Sequence, residues 1–181
     1  VVFNTENTVK NQDVGDVADF GWNAVDGGAK FTVVQKDADA TWFGSDDVSQ
    51  LRASYFPGSA DMTDWTWTTK VRYKEGTGCI QLLFGANDNT TAFIIWGNGG
   101  YQLFKGEALE SGATKAIASE EITLKITHES LKSGGSKVTV YIDNTEVTNH
   151  VFNTHVSGNF GYLVDGGVDV WFANCIVTEY K

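Results

Sequence analysis

At 181 residues the chain is long enough for one domain with a sizeable core, and its 41% hydrophobic content excludes an intrinsically disordered polymer. The net charge is −10, from 13 basic and 23 acidic residues with only Arg52 and Arg72 as arginines. That balance argues against nucleic acid, anionic membrane surfaces and acidic polysaccharides, which draw affinity from clustered cations.

No apolar run reaches the roughly 18 residues of a membrane-spanning helix. No signal peptide precedes Val1, so a mature or excised segment is expected. Period-2 alternation, the mark of half-buried strands, predicts strands over 29–34, 41–44, 65–73, 79–86, 92–97, 101–105, 122–128, 137–143, 160–164 and 168–180. In 65–73, Trp65, Trp67, Thr69, Val71 and Tyr73 fall on one side; Thr66, Thr68, Lys70 and Arg72 fall on the other. The 53–65 stretch reads as a loop carrying Tyr55 and Phe56 just before Pro57-Gly58. The 107–119 stretch, interrupted by Gly112, also reads as a loop, and no segment carries a helical pattern. Asp143-Asn144 opens a turn. No linker divides the chain, so residues 1–181 form one domain. Short strands with frequent turns imply a sandwich or barrel, and at this length a two-sheet jelly roll.

Between 92–97 and 101–105, Gly97-Asn98-Gly99-Gly100 signals a hairpin, because these residues tolerate positive φ. Aligning the strands around it sends Ile80, Leu82, Phe84, Phe93, Ile95, Tyr101 and Leu103 inward. Gln81, Leu83, Ile94, Trp96, Gln102 and Phe104 collect on the other face. A two-layer protein needs only one apolar face per hairpin, so Trp96 is covered by more protein or faces a ligand. An aromatic ring among amides suits a sugar, whose C–H face stacks while its hydroxyls take hydrogen bonds. Tyr55 and Trp42 are further candidate contacts, each readable equally as a plug of the sandwich. Asn87 and Asp88 offer polar partners and are also ordinary turn formers. Trp22, Trp65, Trp67 and Trp171 read mainly as core.

The two cysteines, Cys79 and Cys175, fall on opposite strand faces and are expected as free thiols. Asp165 and Asp169, or Asp46 and Asp47, are candidate oxygen ligands for a structural Ca²⁺, although no EF-hand is present. His128, His150 and His155 are scattered and read as solvated surface residues. There is no G-x-S-x-G, H-E-x-x-H or phosphate loop, and no E-x-D-x-x-E spacing that would place paired carboxylates on one strand.

Four stretches, TWTTKVRY, IQLLFGANDNTTAFIIWGNGGYQLFK, ITLKITHES with KVTVYIDNTEV, and GNFGYLVDGGVDVWFANCIV, resemble in order and spacing the concanavalin/laminin-G-like superfamily. The resemblance is greatest to the bacterial carbohydrate-binding modules that accompany fructan-degrading enzymes. It implies an all-β, two-sheet antiparallel jelly-roll sandwich holding a sugar on a concave or edge face. Gly85 stands where fructose-binding members carry an arginine, which ranks a starch-like α-glucan level with a β-fructan. The expected function is non-catalytic binding of a neutral polysaccharide or oligosaccharide, in a larger multidomain secreted protein at or outside the cell surface. The alternatives are a laminin-G-type adhesion or protein-interaction module and a β-sandwich glycoside hydrolase.

Overall fold

The computed structural model describes residues 3–18, 23–24, 30–45, 47–56, 61–85 and 91–180. Its strands are β1 (Phe3–Asn4), β2 (Asn23–Ala24), β3 (Phe31–Lys36), β4 (Thr41–Ser45), β5 (Arg52–Phe56), β6 (Asp64–Glu75), β7 (Cys79–Phe84) and β8 (Thr91–Trp96). They continue as β9 (Gly100–Phe104), β10 (Ala108–Ala113), β11 (Glu120–Ser130), β12 (Ser136–Ile142), β13 (Thr145–Phe152), β14 (Phe160–Val164) and β15 (Asp169–Tyr180). One helical turn, α1 (Glu6–Val9), interrupts the all-β pattern. Sheet A runs β13-β12-β11-β6-β15-β4-β3, with β1 added against β15; sheet B runs β10-β9-β8-β7-β14-β5-β2. All of these pairings are antiparallel, as expected for the sandwich. No helix among the described residues is long and apolar enough to cross a membrane.

Alternation along the strands builds the core. β6 buries Trp65, Trp67, Val71 and Tyr73, and β11 sets Ile126 opposite Trp67. From sheet B, Ile80, Leu82, Phe84, Phe93, Ile95 and Leu103 meet them in one cluster. Aromatic edges fill the middle: Trp67 meets Phe160 edge-on, with centroids 5.4 Å apart, and its Nε1–H donates to Cys175 Sγ at 3.1 Å. Each such side chain stabilises the fold by about 1.5–3 kcal/mol on burial. Cys79 faces outward on sheet B and Cys175 inward, both buried and free. Burial pushes each thiol up to about 12, with Asp165 adding to the effect at Cys79.

The turns obey their residues. In the 97–99 hairpin, Gly99 N–H donates to Trp96 O at 2.9 Å. Gly99 has φ +89°, and a Cβ there would lie 2.4 Å from Lys115 O, so only glycine fits. Asp143 and Asn144 adopt φ 49° and 65°, the paired positive angles of a primed hairpin turn.

Five strands fall outside the expected set: the two-residue β1 and β2, and the longer β5, β10 and β13. β5 replaces part of the loop expected over 53–65, β10 lies within the expected 107–119 loop, and β13 follows the Asp143-Asn144 turn. β10 and β13 end their sheets and are largely exposed, so neither needs clean alternation. β5 was obscured by Arg52, a charge at a fully buried position. Its guanidinium donates to the carbonyl oxygens of Val48, Gln50 and Val168, tying two turns together.

His128 also differs from the surface residue expected: only 1% of it is exposed. Its ring stacks on Trp65 at 5.3 Å with 5° between planes. Nε2 accepts the Val156 N–H at 3.0 Å, so Nδ1 carries the proton and donates to Thr63 O at 2.7 Å. At one flank the sheets are tied: Tyr101 Oη donates to Val147 O at 2.8 Å, and His150 Nδ1 lies 3.0 Å from Glu110 Oε1.

Candidate functional site

The outer face of sheet B gathers five of the expected contact residues. Register sets Tyr55, Gly161, Leu83, Ala92 and Phe104 in one row across β5, β14, β7, β8 and β9. A second row runs Ala53, Leu163, Gln81, Ile94 and Gln102. Beyond it Cys79 stands opposite Trp96. At about 4.8 Å per strand, four intervals make the row from Tyr55 to Phe104 about 19 Å wide.

This face has its own hydrophobic cluster, in which Cys79, Leu83, Ala92 and Ile94 are buried and Tyr55, Trp96, Phe104 and Leu163 pack around them half-exposed. Trp96 ends β8, and across the 97–99 turn β9 begins with Gly100, which has no side chain to shield the indole. Gly161 makes room for Tyr55: a Cβ there would lie 2.6 Å from the ring's Cδ1 and 2.6 Å from Ser54 O. None of these twelve residues is charged, in a chain with net charge −10. Their polar side-chain groups are the carboxamides of Gln81 and Gln102, the Tyr55 hydroxyl, the Trp96 indole N–H and the Cys79 thiol. Gln81 Nε2 makes only a long 3.8 Å contact with Cys79 Sγ, and the Gln102 carboxamide has no protein partner among the described residues. The arrangement presents aromatic rings and unoccupied amide donors and acceptors on a neutral surface.

Other expected contacts are placed differently. Tyr55 lies within β5, not at a loop tip, because Gly161 gives its ring a seat on the sheet. Trp42 is not on this face. It sits on the outer side of sheet A, 1% exposed, with the Arg72 guanidinium 3.8 Å from its centroid and its Nε1–H donating to Asp37 Oδ2 at 2.8 Å. Its ring is covered by its own protein and presents no stacking face. Asp37 is held below the usual carboxylate range by the hydrogen bonds from Gln35 and Trp42, with Arg72 adding to them. Asn87, Asp88 and Asp46 lie outside the described residues.

Asp165 uses Oδ2 to accept the Cys79 N–H at 2.9 Å, and Asp169 stands opposite Glu75 at the start of β15. Among the described residues no three His, Cys, Asp or Glu side chains converge on a metal position. Of the described carboxylates, Glu110 meets His150, and Asp37 and Glu121 share Arg72, with Glu121 Oε2 taking its Nε–H at 2.8 Å.

Two contributors escaped the sequence reading. Leu163 belongs to the sheet B face, and its alternation with inward Phe160, Tyr162 and Val164 was the available signal. Trp171, read as core, is half-exposed on the outer side of sheet A; the inward neighbours Val170 and Phe172 mark it as outward-facing.

No protein-family model matches the chain, and no curated protein does. Solved structures do. A Bacillus subtilis protein of unknown function with a galectin-like fold is 11% identical, with 98% of this chain and 95% of that one covered at a TM-score of 0.68. The carbohydrate-binding module CBM66 from Bacillus subtilis is 18% identical, with 88% and 96% covered at a TM-score of 0.58. The alginate lyase Aly36B, in complex with an alginate trisaccharide, is 11% identical, with 99% and 98% covered at a TM-score of 0.66. At these identities the likeness is one of fold: this chain shares the galectin-like β-sandwich with a sugar-binding module and with a polysaccharide-cleaving enzyme.

Proposed function

We propose that this chain is a non-catalytic carbohydrate-binding module that takes a neutral polysaccharide or oligosaccharide on the outer face of sheet B. The observation that carries this reading is the absence of charge from a face rich in half-exposed rings, with Gln81 and Gln102 between them. Trp96, Phe104 and Tyr55 stack against sugar C–H faces, and the two amides hold hydroxyls. The shared fold with a carbohydrate-binding module supports the reading. Starch-like α-glucan and β-fructan rank level as ligands, and the module acts outside the cell as part of a larger secreted protein.

Affinity electrophoresis through soluble starch, levan, inulin and mixed-linkage β-glucan tests it. One or more of these gels is expected to retard the protein. Trp96→Ala should weaken that retardation at least tenfold, about 1.4 kcal/mol, with the near-UV circular dichroism retained, because the ring lies outside the main core. No retardation by any neutral glycan overturns the proposal. Release of reducing sugar from the retained glycan, abolished by a single carboxylate substitution, would instead make the chain a hydrolase.

A further inference from the structure

Strand β6 lines up Lys70, Arg72 and Lys74 on the outer side of sheet A, a local reversal of sign in an acidic chain. Two of the three are neutralised. Lys70 Nζ is 3.3 Å from Asp39 Oδ2, and Arg72 is held between Asp37 at 3.2 Å and Glu121 at 2.8 Å. Lys74 has no carboxylate partner among the described residues; its Nζ rests 3.7 Å from the centroid of the Trp171 ring. Beside it opens a cleft of about 470 Å³ whose lining includes Gln35, Arg72, Lys74, Ser119, Glu121 and Trp171. Ser119 holds φ 65° there, a left-handed conformation that non-glycine residues adopt at cost and that gathers at binding sites.

We infer that this cleft is a second binding site, for an acidic saccharide: a pyranose bearing a carboxylate. Trp171 is its stacking ring and Lys74 the counter-ion. In the free protein the ammonium occupies a ring face that a pyranose would take. An exposed cation–π contact is weak, so the lysine lifts readily. A neutral sugar on the ring would leave Lys74 only water in return, whereas a uronate supplies an ion pair as the ring contact is lost.

The indole stays in place when the lysine lifts. Its Cδ1 would lie 2.6 Å from a Cβ on Gly44, so it is seated against the β4 backbone where no side chain intrudes. Arg72 cannot follow Lys74, being fixed by Asp37, Glu121 and the Trp42 ring. Glu120 is the remaining acidic side chain at the rim. The chain's overall negative charge acts weakly here, because salt screens exposed charges beyond about 8 Å at physiological ionic strength.

The site lies on the sheet opposite the neutral-glycan face and does not rest on that reading. Isothermal titration calorimetry of the whole chain with trigalacturonate, triglucuronate and trimannuronate, each beside its methyl ester, tests it. At least one acid is expected to bind, and its ester at least tenfold more weakly. Lys74→Met, which keeps the apolar stem, should weaken the acid at least tenfold without changing retardation by neutral glycans. Trp171→Ala should remove the binding, and Trp96→Ala should leave it intact. Failure of every acid to bind at millimolar concentration overturns the inference. So does equal binding of acid and ester, undiminished binding by Lys74→Met, or loss of the acid in Trp96→Ala. Lys74→Met decides the matter even if Trp171→Ala does not fold.

Discussion

His128 occupies both ring nitrogens with backbone groups, and only the neutral imidazole satisfies both. A second proton on Nε2 would face the Val156 N–H. Burial lowers the folded-state value below the ordinary 6.5, outweighing the opposing hydrogen bond to Thr63. The fold therefore favours the neutral form. The stability this contributes is complete above pH 6.5 and is lost as the pH falls from there through the folded-state value. Urea midpoints followed downward from pH 8 should decline below about pH 6.5, and His128→Gln should flatten that decline. A variant as steep as the parent would assign the decline to other groups. The sequence could not show this histidine's role, because its partners come from Thr63 and Val156, distant in the chain. Trp96 was legible because its environment is set by neighbours in a single hairpin. Trp42 looked equally open, but Arg72 and Asp37, which cover it, lie on other strands or past a turn.

Among the elements, long strands with one buried face could be read directly: β6, β7, β8, β9, β11, β12, β14 and β15 all lie where alternation places them, within a few residues at their ends. β10 and β13 could not, since these sheet-ending strands are largely exposed on both faces and lack the one-sided burial that imposes alternation. A buried arginine hides β5 from the alternation pattern, so that Tyr55 reads as a loop residue. The pairing of β14 with β5 is what brings Tyr55 onto the candidate face, and Gly161 is its hinge residue. Gly161→Ala is expected to cost about 1–3 kcal/mol by overpacking, read as a lower urea midpoint. It should also weaken glycan retention by displacing the Tyr55 ring. An unchanged midpoint and unchanged retention would show that the ring relocates freely and takes no part in binding.

The whole molecule is dominated by distant pairings. Trp67 and Cys175 meet across 108 positions, and β14 joins β5 to β7 only after β8 to β13 have intervened. Such topology is slow to form, because long loops close before their contacts add stability. Stopped-flow refolding should be complete in milliseconds to seconds, with near- and far-UV transitions coincident at equilibrium. Sub-millisecond folding, or separate transitions for the two probes, would mean that one sheet forms without the other. The two-sheet order could be anticipated from strand spacing and resemblance; the charge-capped indoles of sheet A could not, since they need β3, β4, β6 and β15 side by side.

The tie between β10 and β13 bears on self-association. Sheet edges are templates for strands from other molecules, and so for fibrils. Here the ends of both sheets are turned together at one flank, fastened by Tyr101 to Val147 and Glu110 to His150. At the other end of sheet A, the backbone of residues 15–18 covers β3, with Gly15 N–H on Val33 O and Ala18 N–H on Phe31 O. An incoming strand meets occupied hydrogen-bonding groups there and a fastened flank at the other end. In a protein built almost wholly of strands and carrying an apolar outer face, the ends of the longer sheet are thereby partly closed to an incoming strand.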